Sequence, residues 1–533
     1  MTPKKILQVF EDYQTARHSF VQNVGKLASR PSNIVLLEGA SVLELLQPLL
    51  SDVFAPIKAE AINTIGKLAT SSQSLSENIV RMNMLPNLLS SLQAGNKYHK
   101  TAVLSLVRAV SSYTPETAGA AVQMGALQGV VACLEDFEPN VKTASCWTIS
   151  NIARHRKDLA EAVVDAGAVP LLVLCSQEPE ACLKQGAASA LGEIARHAPE
   201  LARLVVDAGS VGPLARAVCS KDTKLKRHVF AALGNIAKHS PELAEVVVEA
   251  GVFPDTLLHL AHTDERVAKS AAVLVSEVAK HSLEMCELLV HLGAIGALIE
   301  AVGRSGSDVQ MYGIMTLGFM AAHSEQLALA IIESKCVTEL SCLLCEDTED
   351  HVMATAVWTL GHIAKHSPRH SQAVADTGAF TKLLQMFLNP KSSEDLKQKC
   401  RKTLKLALQK CIDIAALEPL LCNAPVEILK YIVGQLSKVL PNDAKARRLF
   451  VATGGLKKIQ EIPADPGTTL MEYITIINCC FPEDVVRYFS PGHEESLLDR
   501  VEQYEPNVLC VGSQGDGEIE DDTVNSDDTY HEA

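Results

Sequence analysis

Aromatic side chains are scarce in this chain, at 4% of 533 residues with two tryptophans, although 47% of the residues are hydrophobic. A single large core is excluded by length, and recurring Ala, Leu and Val suit many thin helical layers instead. No stretch reaches the roughly 18 consecutive apolar residues of a spanning helix. Met1 to Tyr13 carries Lys4 and Lys5 without an apolar segment behind them, so a secreted precursor is not expected. Thr2 stands where an N-myristoyl anchor requires glycine. The formal net charge of -15 disfavours nonspecific binding of nucleic acid or anionic membrane over the whole surface, leaving only local basic patches to consider. The 15 cysteines are scattered through helical patterns, which predicts reduced thiols rather than a disulfide framework.

Assembled chemistry is also missing. Cys342-Leu-Leu-Cys345 has redox or metal spacing, but it falls in an expected helix with no second Cys or His pair nearby. His493-Glu494 lacks the histidine that a zinc-protease helix needs at 497, where leucine stands. Gly66-Lys67-Leu68 is not a phosphate loop: Ala61 replaces the first glycine and Leu68 the magnesium-binding hydroxyl. No nucleophile, base and orienting group form a set, so the expectation is a non-enzymatic protein with no catalytic residue, cofactor, metal or small-molecule substrate.

What is present is a repeat. Ile152-Ala-Arg-His155, Ile194-Ala-Arg-His197, Ile236-Ala-Lys-His239, Val278-Ala-Lys-His281, Met320-Ala-Ala-His323 and Ile363-Ala-Lys-His366 follow one another at intervals of 42, 42, 42, 42 and 43 residues. Gly125, Gly167, Gly209, Gly251 and Gly293 keep the same period, Lys335 breaks it, and Gly378 resumes it. Within one period the apolar spacing predicts three helices: one from His197 to Gly209, one over Val211 to Cys219, and a long one over Leu225 to His239. Ser240-Pro241 and Ser367-Pro368 place an N-cap before a first-turn proline. The glycine supplies a left-handed corner between first and second helices, where any other residue is strained.

The periodic histidine falls at the end of the third helix, where its ring can reach free carbonyls. A metal ladder is disfavoured because neighbouring rings would lie about 8–10 Å apart, one helix-packing distance. Weaker copies at Leu68 to Ser71, Val110 to Tyr113 and Val433 to Lys438 extend the array, giving an all-α, right-handed superhelical solenoid of about ten three-helix repeats. The 42-residue unit resembles the armadillo repeat over nearly all of residues 1 to about 460. The expected division is an array over 1–410, atypical C-terminal repeats and a helical cap over 411–511, and an acidic disordered tail over 512–533.

In such repeats the third helix lines a groove, and positions eight and four before the histidine share one stripe. These are Trp147 and Asn151, Ser189 and Glu193, Ala231 and Asn235, Val273 and Glu277, Met315 and Phe319, and Trp358 and His362. The candidate groove residues are therefore Trp147, Asn151, Glu193, Asn235, Glu277, Phe319, Trp358 and His362. Trp147 with Asn151 resembles the pair by which nuclear import adaptors hold an extended basic peptide. The alternative is that Trp147 and Trp358 simply pack on neighbouring third helices. Import adaptors repeat the pair many times and carry a long basic N-terminal arm, whereas this chain completes the pair once and shows no such arm.

Positive charge concentrates between Lys391 and Lys458, where 14 Lys and Arg face 6 Asp and Glu, a local +8 that leaves -23 elsewhere. Lys397, Lys399, Arg401, Lys402 and Lys405 lie on one helical stretch, and Lys445, Arg447, Arg448, Lys457 and Lys458 follow. This group could hold acidic tails such as those of tubulin or form a solvated face. With few aromatics to stack bases, protein is a better expectation than nucleic acid.

The runs Ala416 to Leu421, Ile428 to Pro441, Lys445 to Phe450, Gly454 to Glu461 and Pro482 to Pro491 closely resemble the sperm-associated antigen six family, as do Val163 to Cys175 and Leu7 to Glu11. The resemblance is expected to cover about 500 residues and to leave the acidic tail outside. It implies a structural scaffold of the axonemal central apparatus in a cilium or flagellum, bound to a central-pair microtubule and needed for its stability and for beating. The implied partners are tubulin and other central-apparatus proteins, with self-association left open. The implied location is the cytoplasm, cytoskeleton and axoneme, and neither nucleic acid nor membrane is an expected partner.

Overall fold

The punctuation read in the sequence is what divides the chain into helices. In the computed structural model, which describes residues 3–93, 95–303, 307–345, 347–493, 499 and 501–503, the ordered elements are α-helices and short 3-10 turns, with no strand among the described residues. The acidic stretch 512–533 lies outside them. Two compact units result, Met1–Val439 and Leu440–Ala533.

One full period consists of Pro199–Asp207, Val211–Ala217 and Thr223–Ala237. The second and third helices each end two residues earlier than expected. Lys238 is the C-cap of the third helix, so His239 stands just past the helix rather than in its last turn. Gly209 has φ +80°, and Gly125, Gly167, Gly251, Gly293 and Gly378 are likewise left-handed. Lys335 is forced into the same conformation at φ 64°, a region that costs an L-residue roughly 1–2 kcal/mol.

Side-chain caps start many of the first helices. Ser240, Ser282 and Thr114 accept backbone N–H bonds from Leu243, Met285 and Thr117. Ser367 occupies the expected N-cap place but makes no such bond. Its hydroxyl lies 2.8 Å from Nδ1 of the buried His370, whose Nε2 reaches the Glu325 carbonyl at 3.1 Å. Satisfying a buried ring has taken precedence over capping.

The first unit is a stack of long helices: Pro3–Ala28, Ala55–Ser71, Lys97–Val110, Pro139–Ala153, Ala181–Ala195, Thr223–Ala237, Glu265–Ala279, Ser307–His323, Asp350–Ala364, Glu394–Leu408 and Val426–Val439. Each packs on the next. The core runs between them, where Leu191, Ile194, Leu233 and Ile236 are fully buried. Small residues set the close approach: a Cβ on Gly192 would sit 2.9 Å from the Ala232 Cα. The weaker copies called at Leu68, Val110 and Val433 all fall on helices of this stack.

Candidate binding groove

Every helix leaves its last carbonyls without an N–H partner, and in this stack the next repeat supplies donors. His155 Nε2 lies 2.7 Å from Ser111 O, and His197, His239 and His281 lie 2.7 Å from Ala153, Ala195 and Ala237 O. His366 reaches Ala321 O at 2.6 Å and His323 reaches Lys280 O at 3.2 Å. The histidine therefore caps its predecessor's helix rather than its own. Burial is the main influence lowering the pKa of His155, His239, His281 and His366, partly opposed by the bond to the carbonyl.

Two asparagines of the expected groove stripe are tied into the same seam. Asn151 donates to Arg108 O at 3.2 Å and Asn235 to Gly192 O at 3.0 Å. Just before the histidine, Arg154 donates to Ser112 O, and Lys365 donates to Ala322 O at 2.8 Å. Sequence reasoning missed this second row, although a basic residue precedes five of the six landmark histidines. Glu193 pairs with Arg196 at 3.3 Å and Glu277 with Lys280, so the middle of the stripe neutralises itself. Lys238 between them has its pKa lowered by burial first and then by Arg196.

Both tryptophans are half-buried against neighbouring helices. Trp147 meets His228 edge-on at 5.2 Å, and the Arg108 guanidinium lies over its ring at 5.1 Å. Gly186 lies against the helix that carries Trp147, where a Cβ would come within 2.9 Å of the Cys146 Cβ and 3.4 Å of the indole Nε1. Trp358 meets Phe319 at 5.2 Å and His362 at 4.6 Å, both edge-on. Burial, with help from nearby cations, pushes the pKa of both His228 and His362 down to about 4. These rings stay neutral at neutral pH and act as aromatic walls.

The candidate basic residues divide between the two compact units. In the first, Lys399 pairs with Asp395 at 2.9 Å and Arg401 with Glu427 at 3.1 Å. Lys402 and Lys405 are exposed, Lys397 half-buried, and Lys405 lies 5.8 Å from the Tyr431 ring. In the second unit, Lys445 and Arg448 are exposed on Ala444–Ala452 and Lys457 on Gly455–Gln460, with Lys458 half-buried. Arg447 donates to Leu440 O at 2.8 Å and Pro441 O at 2.9 Å, so it ties down its own loop.

Cys342 ends the helix Cys336–Cys342 and Cys345 lies beyond it, which corrects the expectation that both share a helix. No cluster of three or more metal-ligating side chains occurs among the described residues. No single described helix is long and apolar enough to cross a membrane.

A stack of three-helix units whose long helices are capped by the next repeat has the armadillo-repeat fold. The armadillo/beta-catenin-like repeat family matches residues 114–154. A crystal structure of an engineered protein superimposes with a TM-score of 0.66 at 21% identity, over 83% of this chain and 98% of its own, which shows the fold alone. Sperm-associated antigen 6 of Mus musculus and of Homo sapiens are each 55% identical to this chain over 168 residues, 32% of this chain. Over that stretch the chain is similar to sperm-associated antigen 6, and its armadillo-type repeat is matched at residues 114–154. The match spans about a third of the length of these relatives, a narrower stretch than the roughly 500 residues expected from the terminal runs.

Proposed function

We propose that this protein is a non-enzymatic scaffold of the ciliary or flagellar axoneme, holding a central-pair microtubule and its neighbours by protein–protein binding. The observation that carries the reading is the 55% identity with sperm-associated antigen 6. The groove adds a long, rigid surface suited to binding partners, with its residues held in register by inter-repeat hydrogen bonds. The proposed groove contacts are Trp147, Asn151, Glu193, Asn235, Glu277, Phe319, Trp358 and His362. The proposed contacts for acidic partners are the two basic groups around Lys402 and Arg448.

An import-adaptor role is the second reading, motivated by Trp147 and Asn151. Two contacts weigh against it. Arg108 already covers the indole face where a ligand lysine stem would stack, and Asn151 spends an amide proton on Arg108 O. The tagged full chain should label the axoneme of a ciliated cell, and nuclear accumulation without axonemal signal would favour the second reading. In microtubule co-sedimentation, Arg448→Glu should weaken binding, as should removal of the acidic tubulin tails.

A further inference from the structure

Two threonines that bond to the preceding repeat fix the register at the groove's C-terminal end. Thr359 Oγ1 donates to Ile314 O at 3.0 Å and Thr403 Oγ1 to Val357 O at 2.8 Å, as Thr148 does to Leu104 O. Lys402 precedes Thr403 as Trp358 precedes Thr359, so Lys402 holds the tryptophan's groove position one repeat on. On the next long helix of the same unit, Val426–Val439, Tyr431 lies under Lys405 at 5.8 Å and Lys430 at 5.1 Å.

Charge balance separates this end from the middle. Arg196 and Lys280 are answered by Glu193 and Glu277 on their own helices. Lys402, Lys405 and Lys430 are exposed and have no carboxylate within ion-pair distance among the described residues, while Glu427 is committed to Arg401. Lys402 and Lys405, one turn apart on one helix, and Lys430 beside the Tyr431 ring form a local positive site in a chain of net charge -15.

We propose that the groove between Trp358 and Tyr431 binds an extended acidic segment of a partner protein. Neighbouring long helices lie about 8–10 Å apart, and an extended chain advances about 3.3 Å per residue, so carboxylates at every third position meet successive helices. This inference rests on the reading of the groove as a binding surface and names the chemistry of what it takes.

The test is fluorescence anisotropy with the full chain and a fluorescein-labelled octaglutamate peptide, alongside octalysine, at low and at physiological salt. Octaglutamate should bind, octalysine should not, and K402E/K405E/K430E should weaken binding by at least about tenfold, a change expected when buried or focused charge pairs are lost. The glutamine triple variant should weaken it in the same direction if the charge-reversed chain misfolds. K221E/K224E, which reverses exposed charge elsewhere on the unit, should leave binding unchanged. Equal loss in that control, equal binding of octalysine, or no binding of octaglutamate would overturn the proposal. Because no axoneme is involved, such a failure leaves the axonemal reading standing, and mislocalisation would leave this site untouched.

Discussion

Nε2 of His239 lies 2.7 Å from the carbonyl oxygen of Ala195, the last helical residue of the preceding long helix. The nitrogen facing that oxygen carries the proton, and the bond joins successive repeats through two residues 44 apart. A net contribution of about 0.5–1.5 kcal/mol is expected for such a bond. His239→Ala should therefore lower stability by about 1 kcal/mol, read as a shift in urea midpoint with little change in slope. A change in slope alone would mean that the substitution acts on the unfolded chain instead.

Stability should fall on mild acidification. The folded chain holds His228 and His362 neutral down to about 4, and burial lowers the pKa of His155, His239, His281 and His366 as well. As pH drops below the ordinary histidine value of about 6.5, the unfolded chain takes up protons first. The stability due to these rings is full above about 6.5 and is lost progressively toward about 4. Melting temperatures across that window should fall less steeply in H228Q/H362Q than in the parent chain.

Much of this was legible in the residues. Period, glycine corner and capping histidine carry local backbone instructions, so the three-helix unit and its stack followed from spacing. The direction of the histidine bond was not legible, because it joins residues 44 apart whose meeting depends on how helices stack. The same holds for Arg108 over Trp147 and for the register that brings Lys402 into line with Trp358. Ser367 shows a local rule yielding to a tertiary one, since the ring of His370 claims its hydroxyl. The basic stretch read as a single run is shared between two compact units, a boundary that charge counting does not register.

Lys335 offers a stabilising substitution. Its φ of 64° is the conformation that glycine supplies at the corresponding corners. Lys335→Gly should raise stability by up to about 1 kcal/mol, because relief of a cost of roughly 1–2 kcal/mol is partly offset by the added freedom of the unfolded chain. Gly209→Ala should do the reverse. Urea midpoints of the two variants should move in opposite directions.

Gly318 leaves room for Trp358. A Cβ there would overlap the indole ring and come within 2.6 Å of Thr359 Oγ1. Gly318→Ala should cost about 1–3 kcal/mol by overpacking. In a Trp147→Phe background, where Trp358 is the remaining tryptophan, the emission spectrum should shift as the ring is displaced. An unchanged spectrum with unchanged stability would show that the seam accommodates the methyl group.

The scaffold reading is tested most directly by removing the protein from a ciliated cell and recording beating together with the central pair in cross-section. The expected result is assembled cilia that beat poorly and have a defective central pair, restored by the full chain. Normal beating with an intact central pair after complete loss would contradict it.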